Sequence, residues 1–196
     1  QAAMWACGVG VGDEVIGPSL TYWASVLPAF SLGASIVFGE VDPMTLCRLR
    51  AAVKNRITER TKAIIPVHYC GYPCDMDAIM EIAEKHDIKV IEDVSHAHGA
   101  HYKGRLVGTI GHCSGFSVMS GKALAVGEGG MFTTNDRLLY ERVVAWGHYG
   151  RTKEACQDPS LKPFAGLPWG GYKYRMHQLS SACGRAASGM PTRNTP

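Results

Sequence analysis

One lysine stands out for its surroundings. Lys122 lies in the run Phe116-Ser117-Val118-Met119-Ser120-Gly121-Lys122-Ala123-Leu124-Ala125-Val126-Gly127-Glu128-Gly129-Gly130, between an apolar strand pattern and a glycine-rich turn. A lysine among small, apolar neighbours is poorly hydrated, and that favours the neutral amine that attacks a carbonyl. Schiff-base lysines need this property. Further upstream, Val90-Ile91-Glu92-Asp93 reads as a buried strand ending in a carboxylate.

A reactive lysine and a strand-end aspartate form the pair that pyridoxal phosphate (PLP) chemistry requires. A carboxylate about 3 Å from a pyridine nitrogen, at an effective dielectric near 20, attracts its proton by roughly 5 kcal/mol before desolvation. Even half of that holds the ring protonated at neutral pH. Each residue also has a plainer reading: Lys122 as a solvated turn lysine, Asp93 as a cap on the turn that follows its strand.

Other chemistry-bearing residues are less specific. His96, His98 and His101, with His112 and Cys113 nearby, invite a metal reading, but their spacing matches no strong zinc pattern. No metal is expected. Cys70 and Cys74 bracket Gly71-Tyr72-Pro73 and read as loop packing. Gly8-x-Gly10-x-Gly12 precedes a strand instead of following one, so it does not read as a dinucleotide loop. Tyr22 and Trp23 are candidates for stacking on a flat ligand or for the core.

The elements that must position these residues alternate. Strands are expected at Glu14–Gly17, Ser35–Val41, Lys62–His68, Lys89–Glu92, Gly115–Met119 and Gly130–Thr134. Pro66 marks either the end of its strand or a sheet edge. Helices are expected at Gln1–Cys7, Thr21–Leu32 (with Pro28 disturbing its middle), Thr45–Lys54, Asp75–His86 and Asp136–Trp146, the last capped by Asn135 or Asp136. Alternation of this kind predicts an α/β fold with a mostly parallel sheet flanked by helices. Ligands collect at the carboxyl ends of such strands, where Asp93, Ser117 and Lys122 all fall.

Composition narrows the function classes. The chain has 196 residues, 46% hydrophobic and 19% charged, enough for one α/β domain with a full core. A net charge of +3, with no basic run, gives no sign of nucleic-acid binding. No apolar stretch approaches the roughly 20 residues of a membrane-spanning helix, and no signal peptide is evident. The 7 cysteines are odd in number and scattered, as expected for reduced thiols in a cytoplasmic protein.

In order, Gly12-Asp13-Glu14-Val15-Ile16, Pro18-Ser19-Leu20-Thr21-Tyr22, Val41-Asp42-Pro43, Thr61-Lys62-Ala63-Ile64-Ile65-Pro66-Val67-His68, Asp75-Met76-Asp77-Ala78-Ile79 and Ile91-Glu92-Asp93 resemble the DegT/DnrJ/EryC1/StrS aminotransferases. These are fold-type-I PLP enzymes acting mostly on keto sugars. The resemblance continues through Ala97-His98-Gly99-Ala100, Phe116-Ser117, Lys122, Gly127-Glu128-Gly129-Gly130 and Tyr174-Arg175-Met176, and covers residues 8 to about 183.

The resemblance implies a three-layer α/β/α large domain over residues 1–183, followed by an irregular tail at 184–196. It implies that Lys122 bonds the cofactor, Asp93 pairs with the pyridine nitrogen, Ser117 binds the phosphate and Tyr22 stacks on the ring, with Trp23 one residue out of register. His96 stands where the family commonly has glutamine against the cofactor's phenolic oxygen, and a histidine there can titrate near neutral pH. Lys173 stands where the family has an asparagine that reaches the phosphate in a neighbouring subunit's site.

Such sharing implies a homodimer. The implied reaction takes an amino group from glutamate or glutamine and delivers it to a keto sugar, nucleotide-linked, or to a cyclitol ketone. The family's Gly-Thr-Ala phosphate loop is expected upstream of Gln1 and its small domain beyond the C-terminus, so these residues alone are expected to bind PLP weakly. Related dehydratases replace the lysine, usually with histidine. Retention of Lys122 and Asp93 argues against that chemistry and against a purely regulatory PLP-fold relative. The remaining alternative is a metal-dependent hydrolase built on the histidines.

Overall fold

Val15-Ile16, Ala63-Ile64 and Val90-Ile91 are adjacent apolar pairs, and each pair splits between two separate core clusters. Side chains along a strand alternate between faces, so the split places these pairs on strands of one sheet covered on both sides. The computed structural model describes residues 1–44, 46–47, 50–148, 155–162 and 172–189. Its strands are β1 (Glu14–Pro18), β2 (Ser35–Gly39), β3 (Thr61–Ile64), β4 (Lys89–Asp93), β5 (His101–Tyr102), β6 (Arg105–Leu106), β7 (Cys113–Ser117) and β8 (Gly130–Thr133). Six of them form one sheet in the order β2-β1-β3-β4-β7-β8. All its pairings are parallel except β7 with β8.

Helices cover both faces. α1 (Ala2–Ala6) and α4 (Arg137–Gly147) place Met4, Ala6 and Leu139 in the cluster containing Val15, Ala63 and Ile91. α2 (Arg50–Arg56) and α3 (Met76–His86) place Val53, Met76, Ile79 and Ala83 in the cluster containing Ile16, Ile64 and Val90. The expected three-layer arrangement is therefore present. Asp136 caps α4, its carboxylate accepting from the Leu138 and Leu139 amides.

Several boundaries differ from the sequence expectation. Residues 21–32 do not form an α-helix: Trp23–Ser25 and Leu27–Leu32 are two short 3₁₀ segments, with Pro28 in the first turn of the second. Proline has no amide to donate to a continuous helix. The helix expected over Thr45–Lys54 is described over Arg50–Arg56, and Leu46 within the expected span takes a left-handed φ of 58°, a conformation that breaks a right-handed turn. Thr45, Arg48 and Leu49 lie outside the described residues.

Pro66 ends its strand and does not mark an edge, because β3 pairs on both sides. At the other end of the chain, α5 (Gln178–Ser188) is helical through Gly184–Ser188, where the sequence leads to the expectation of an irregular tail. Leu179, Ala182, Cys183, Ala186 and Ala187 recur at helical spacing along it, a stripe of mostly small residues none of which is buried. Residues 190–196 lie outside the described residues.

Candidate functional site

The carboxyl ends of β1, β4 and β7 point to one edge of the sheet, and the loops that leave them converge there. Asp93 closes β4. Its backbone amide donates to the Pro66 carbonyl at 2.8 Å and its carbonyl accepts from the His68 amide at 3.1 Å, so the chain beyond β3 fixes its place. Its side chain is aimed by two partners. Oδ1 accepts from the Ser95 amide at 3.0 Å and Oδ2 accepts from the Ser25 hydroxyl at 2.7 Å. Thr21 and Ser25 share a further hydroxyl contact at 2.8 Å.

The loop after Asp93 reaches the neighbouring strand end. Ser95 Oγ accepts from the Ser117 amide at 3.1 Å. Beyond Ser117 the chain turns through Lys122 and returns as β8. That turn is closed by the Val126 amide on the Val118 carbonyl at 2.9 Å and by the Val118 amide on the Gly129 carbonyl at 3.0 Å. Lys122 is partly buried, and its amide donates to the Met119 carbonyl at 2.9 Å.

A cavity of about 730 Å³ opens at this edge. Asp93, Ser95, Ser117 and Ser25 line it, together with the N-terminal residues of α1, the Glu128–Gly130 end of the lysine turn and Tyr174–His177. Asp93 and Ser117 are thus brought together as expected. Lys122 itself, Tyr22, His96 and Lys173 do not line it. Tyr22 is exposed on the same loop as Ser25, its ring 4.9 Å from that of Trp23. His96 is exposed, with its ring 5.4 Å from Tyr69. Lys173 is exposed beside Tyr174, whose amide donates to the Gly147 carbonyl at 2.8 Å.

Residues that the pattern did not single out support this edge. Ser25 and Ser95 fall in loops, where no periodicity marks them; the signal available was Ser95 two residues after Asp93, the spacing of an Asx turn. Glu92 is fully buried on the strand that carries Asp93. His68 Nδ1 accepts from the Cys74 amide at 3.0 Å, so the imidazole proton is on Nε2, which donates to Glu92 Oε2 at 3.0 Å. The amides of Gly108, Ile110 and Gly111 complete the shell at 2.8, 2.8 and 2.6 Å. Burial alone would raise the Glu92 pKa, but His68 and these amides outweigh it and hold the value below the usual glutamate range. Among the described residues no group of three or more His, Cys, Asp or Glu is placed to hold a metal ion.

Residues 1–187 match the DegT/DnrJ/EryC1/StrS aminotransferase family. The chain belongs to that family. It is 42% identical over 184 residues to GDP-perosamine synthase of Caulobacter vibrioides, covering 94% of this chain and 47% of that protein. An aminotransferase structure from Psychrobacter cryohalolentis superposes with a TM-score of 0.85 at 38% identity, over 94% of this chain and 48% of the other. The PLP form of a putative sugar aminotransferase, Spr1654 of Streptococcus pneumoniae, superposes with a TM-score of 0.80 at 27% identity, over 95% and 52%. The chain spans about half the length of the curated relatives it matches.

Aminotransferases of the DegT/DnrJ/EryC1/StrS family use PLP, and the residues present fit that cofactor. Each Asp93 oxygen accepts one hydrogen bond and keeps a lone pair for another. Gly115, on the cavity wall, has nothing within 4 Å of where a Cβ would stand, which leaves room for a flat ring. Serine hydroxyls line the same space as donors for a phosphate.

Proposed function

We propose that this chain is the cofactor-binding part of a PLP-dependent aminotransferase that moves an amino group from glutamate or glutamine to a ketone on a sugar, nucleotide-linked, or on a cyclitol. One observation carries the reading: the Asp93 carboxylate, aimed by Ser25 and Ser95, lines a cavity whose wall runs into the turn bearing Lys122. When bound, PLP supplies a carbonyl for amines and an electron sink for the carbanion formed beside it.

In this reading Asp93 holds the proton on the pyridine nitrogen. Ser117, at the end of β7, offers its hydroxyl to the phosphate. Tyr22, exposed on the Ser25 loop, lies against the ring face. His96 bonds the phenolic oxygen. Lys122 anchors the cofactor through Nζ and, once freed by the donor amine, moves a proton as general base and then acid. Its nucleophilic role and its proton-transfer role use the same atom.

The working form in this reading is a cytoplasmic homodimer with shared sites, in which exposed Lys173 reaches the phosphate bound by the neighbouring subunit. A lysine suits that partner as a point charge. No helix among the described residues is long and apolar enough to cross a membrane.

Borohydride trapping with PLP, followed by peptide mapping, tests the reading. A pyridoxyl group on Lys122 is the expected result. Absence of label from the protein at saturating PLP overturns the assignment. Conversion of bound PLP to its amine form by glutamate then separates an aminotransferase from a dehydratase or a binding protein.

A further inference from the structure

We propose that His98 is a positioning residue, fixing the Lys122 turn to the loop that carries Asp93 by accepting a hydrogen bond from the Leu124 amide. The proposal rests on the reading of Lys122 above and adds to it a device for placing the amine.

The turn is nearly self-contained. Lys122 and Val126 amides bond back to Met119 and Val118, the Ser120 hydroxyl bonds the Gly127 carbonyl, and Gly121 contacts the Met119 sulfur. Among the described residues, the Leu124 amide to His98 Nδ1 at 3.2 Å is the only hydrogen bond from residues 120–125 to anything outside residues 117–127. Leu124 is two residues from Lys122, so this bond pins the part of the turn that carries the amine.

His98 starts from the correct place for this task. It lies on the loop after β4, five residues beyond Asp93. Ser95 on that loop bonds both Asp93 and the Ser117 amide. One short segment therefore holds the carboxylate, the end of β7 and the lysine turn in a single frame.

The imidazole is also in the required form. To accept from Leu124, Nδ1 must be unprotonated, which leaves the ring proton on Nε2. Burial, with a smaller contribution from the Lys122 charge, lowers the His98 pKa, and the Ser117 carbonyl only partly opposes this. The ring stays neutral and keeps its acceptor. The ring packs against Phe116, 5.8 Å away between ring centroids, and its Nδ1 supplies the acceptor for Leu124 that an apolar ring in the same place would lack.

The test compares His98→Asn with His98→Gln. Asparagine can place its carbonyl oxygen near the Nδ1 position, whereas the longer glutamine places its amide near Nε2. Hydrogen exchange of the peptide spanning residues 118–127 reads the anchor without the cofactor, and the initial rate of borohydride-trapped labelling of Lys122 by PLP reads its consequence. Exchange about fivefold faster in His98→Gln, matching the loss of one net hydrogen bond, together with slower labelling and wild-type values of both in His98→Asn, is the expected result. Wild-type exchange in His98→Gln, or faster exchange with unchanged labelling, overturns the proposal. A wild-type protein that takes no label at Lys122 overturns the aminotransferase reading instead, and exchange of the turn still decides whether His98 anchors it.

Discussion

Ser25 donates its hydroxyl to Asp93 Oδ2 at 2.7 Å, joining the loop after β1 to the end of β4 across the intervening β3. The contact fixes the direction of a carboxylate that would otherwise rotate about its side-chain bonds. Removing it leaves Oδ1 on the Ser95 amide, so the aim of the carboxylate degrades without being lost. Ser25→Ala is expected to weaken PLP binding about tenfold, the size of a hydrogen bond to a charged group. Fluorescence titration with PLP measures this, and thermal denaturation of the same variant should show only a small loss of stability.

The strands that carry the site were legible because buried parallel strands leave short apolar runs. Val90-Ile91 before Glu92-Asp93 is one, as are Val15-Ile16 on β1 and Ala63-Ile64 on β3. The loop from Thr21 to Leu32 was less legible. Its apolar residues mimic a helical face, but Pro28 and packing above the sheet edge break it into 3₁₀ turns. Ser25 could not be found by periodicity, because its role depends on a residue 68 positions away. His98 is visible in the sequence as one of several histidines and within the resemblance segment Ala97-His98-Gly99-Ala100, neither of which marks it as an anchor. Its contact with Leu124 depends on where the turn after β7 folds back, and no local spacing encodes that.

Glu92 is a buried anion satisfied by His68 and three amides. Glu92→Gln keeps the shape but replaces one acceptor oxygen with a donor facing those amides. The variant is expected to lose about 3–5 kcal/mol, as when one partner of a buried pair is removed, measured by urea unfolding. The pH dependence has a definite sign. Because folding depresses this pKa, the wild-type contribution is fully present above the unfolded glutamate value of about 4.3 and disappears as pH falls below it. Glu92→Gln should flatten that acid-side loss of stability.

Gly108 serves the same shell through its backbone. It has a φ of 88°, its amide bonds Glu92, and a Cβ there would lie 2.8 Å from the Phe116 ring and 3.1 Å from Val94. The left-handed conformation and the crowding act together. Gly108→Ala is expected to destabilise the fold by about 2 kcal/mol or more, whereas Gly104→Ala, also at positive φ but with nothing within 4 Å of its Cβ, should lose less. Parallel urea titrations of the two variants check the order.

Lys122 and Asp93 should separate by the step each supports. Lys122→Ala removes both the covalent anchor and the proton carrier but leaves the cavity lining intact, since Lys122 does not contribute to it. PLP should still bind, reversibly and without a trapped adduct, while conversion to the amine form by glutamate falls to background. Asp93→Asn keeps one oxygen to accept from either Ser25 or Ser95, turns a donor toward the other, and loses the negative charge that holds the ring proton. It should keep the covalent label on Lys122 and slow the proton transfer by a factor of about a hundred or more, because about 3 kcal/mol of the ring–carboxylate attraction is then lost. Single-turnover absorbance with glutamate distinguishes the two. Undiminished turnover in Lys122→Ala, or a wild-type rate in Asp93→Asn, would mean that the pair does not form the chemical centre assigned to it.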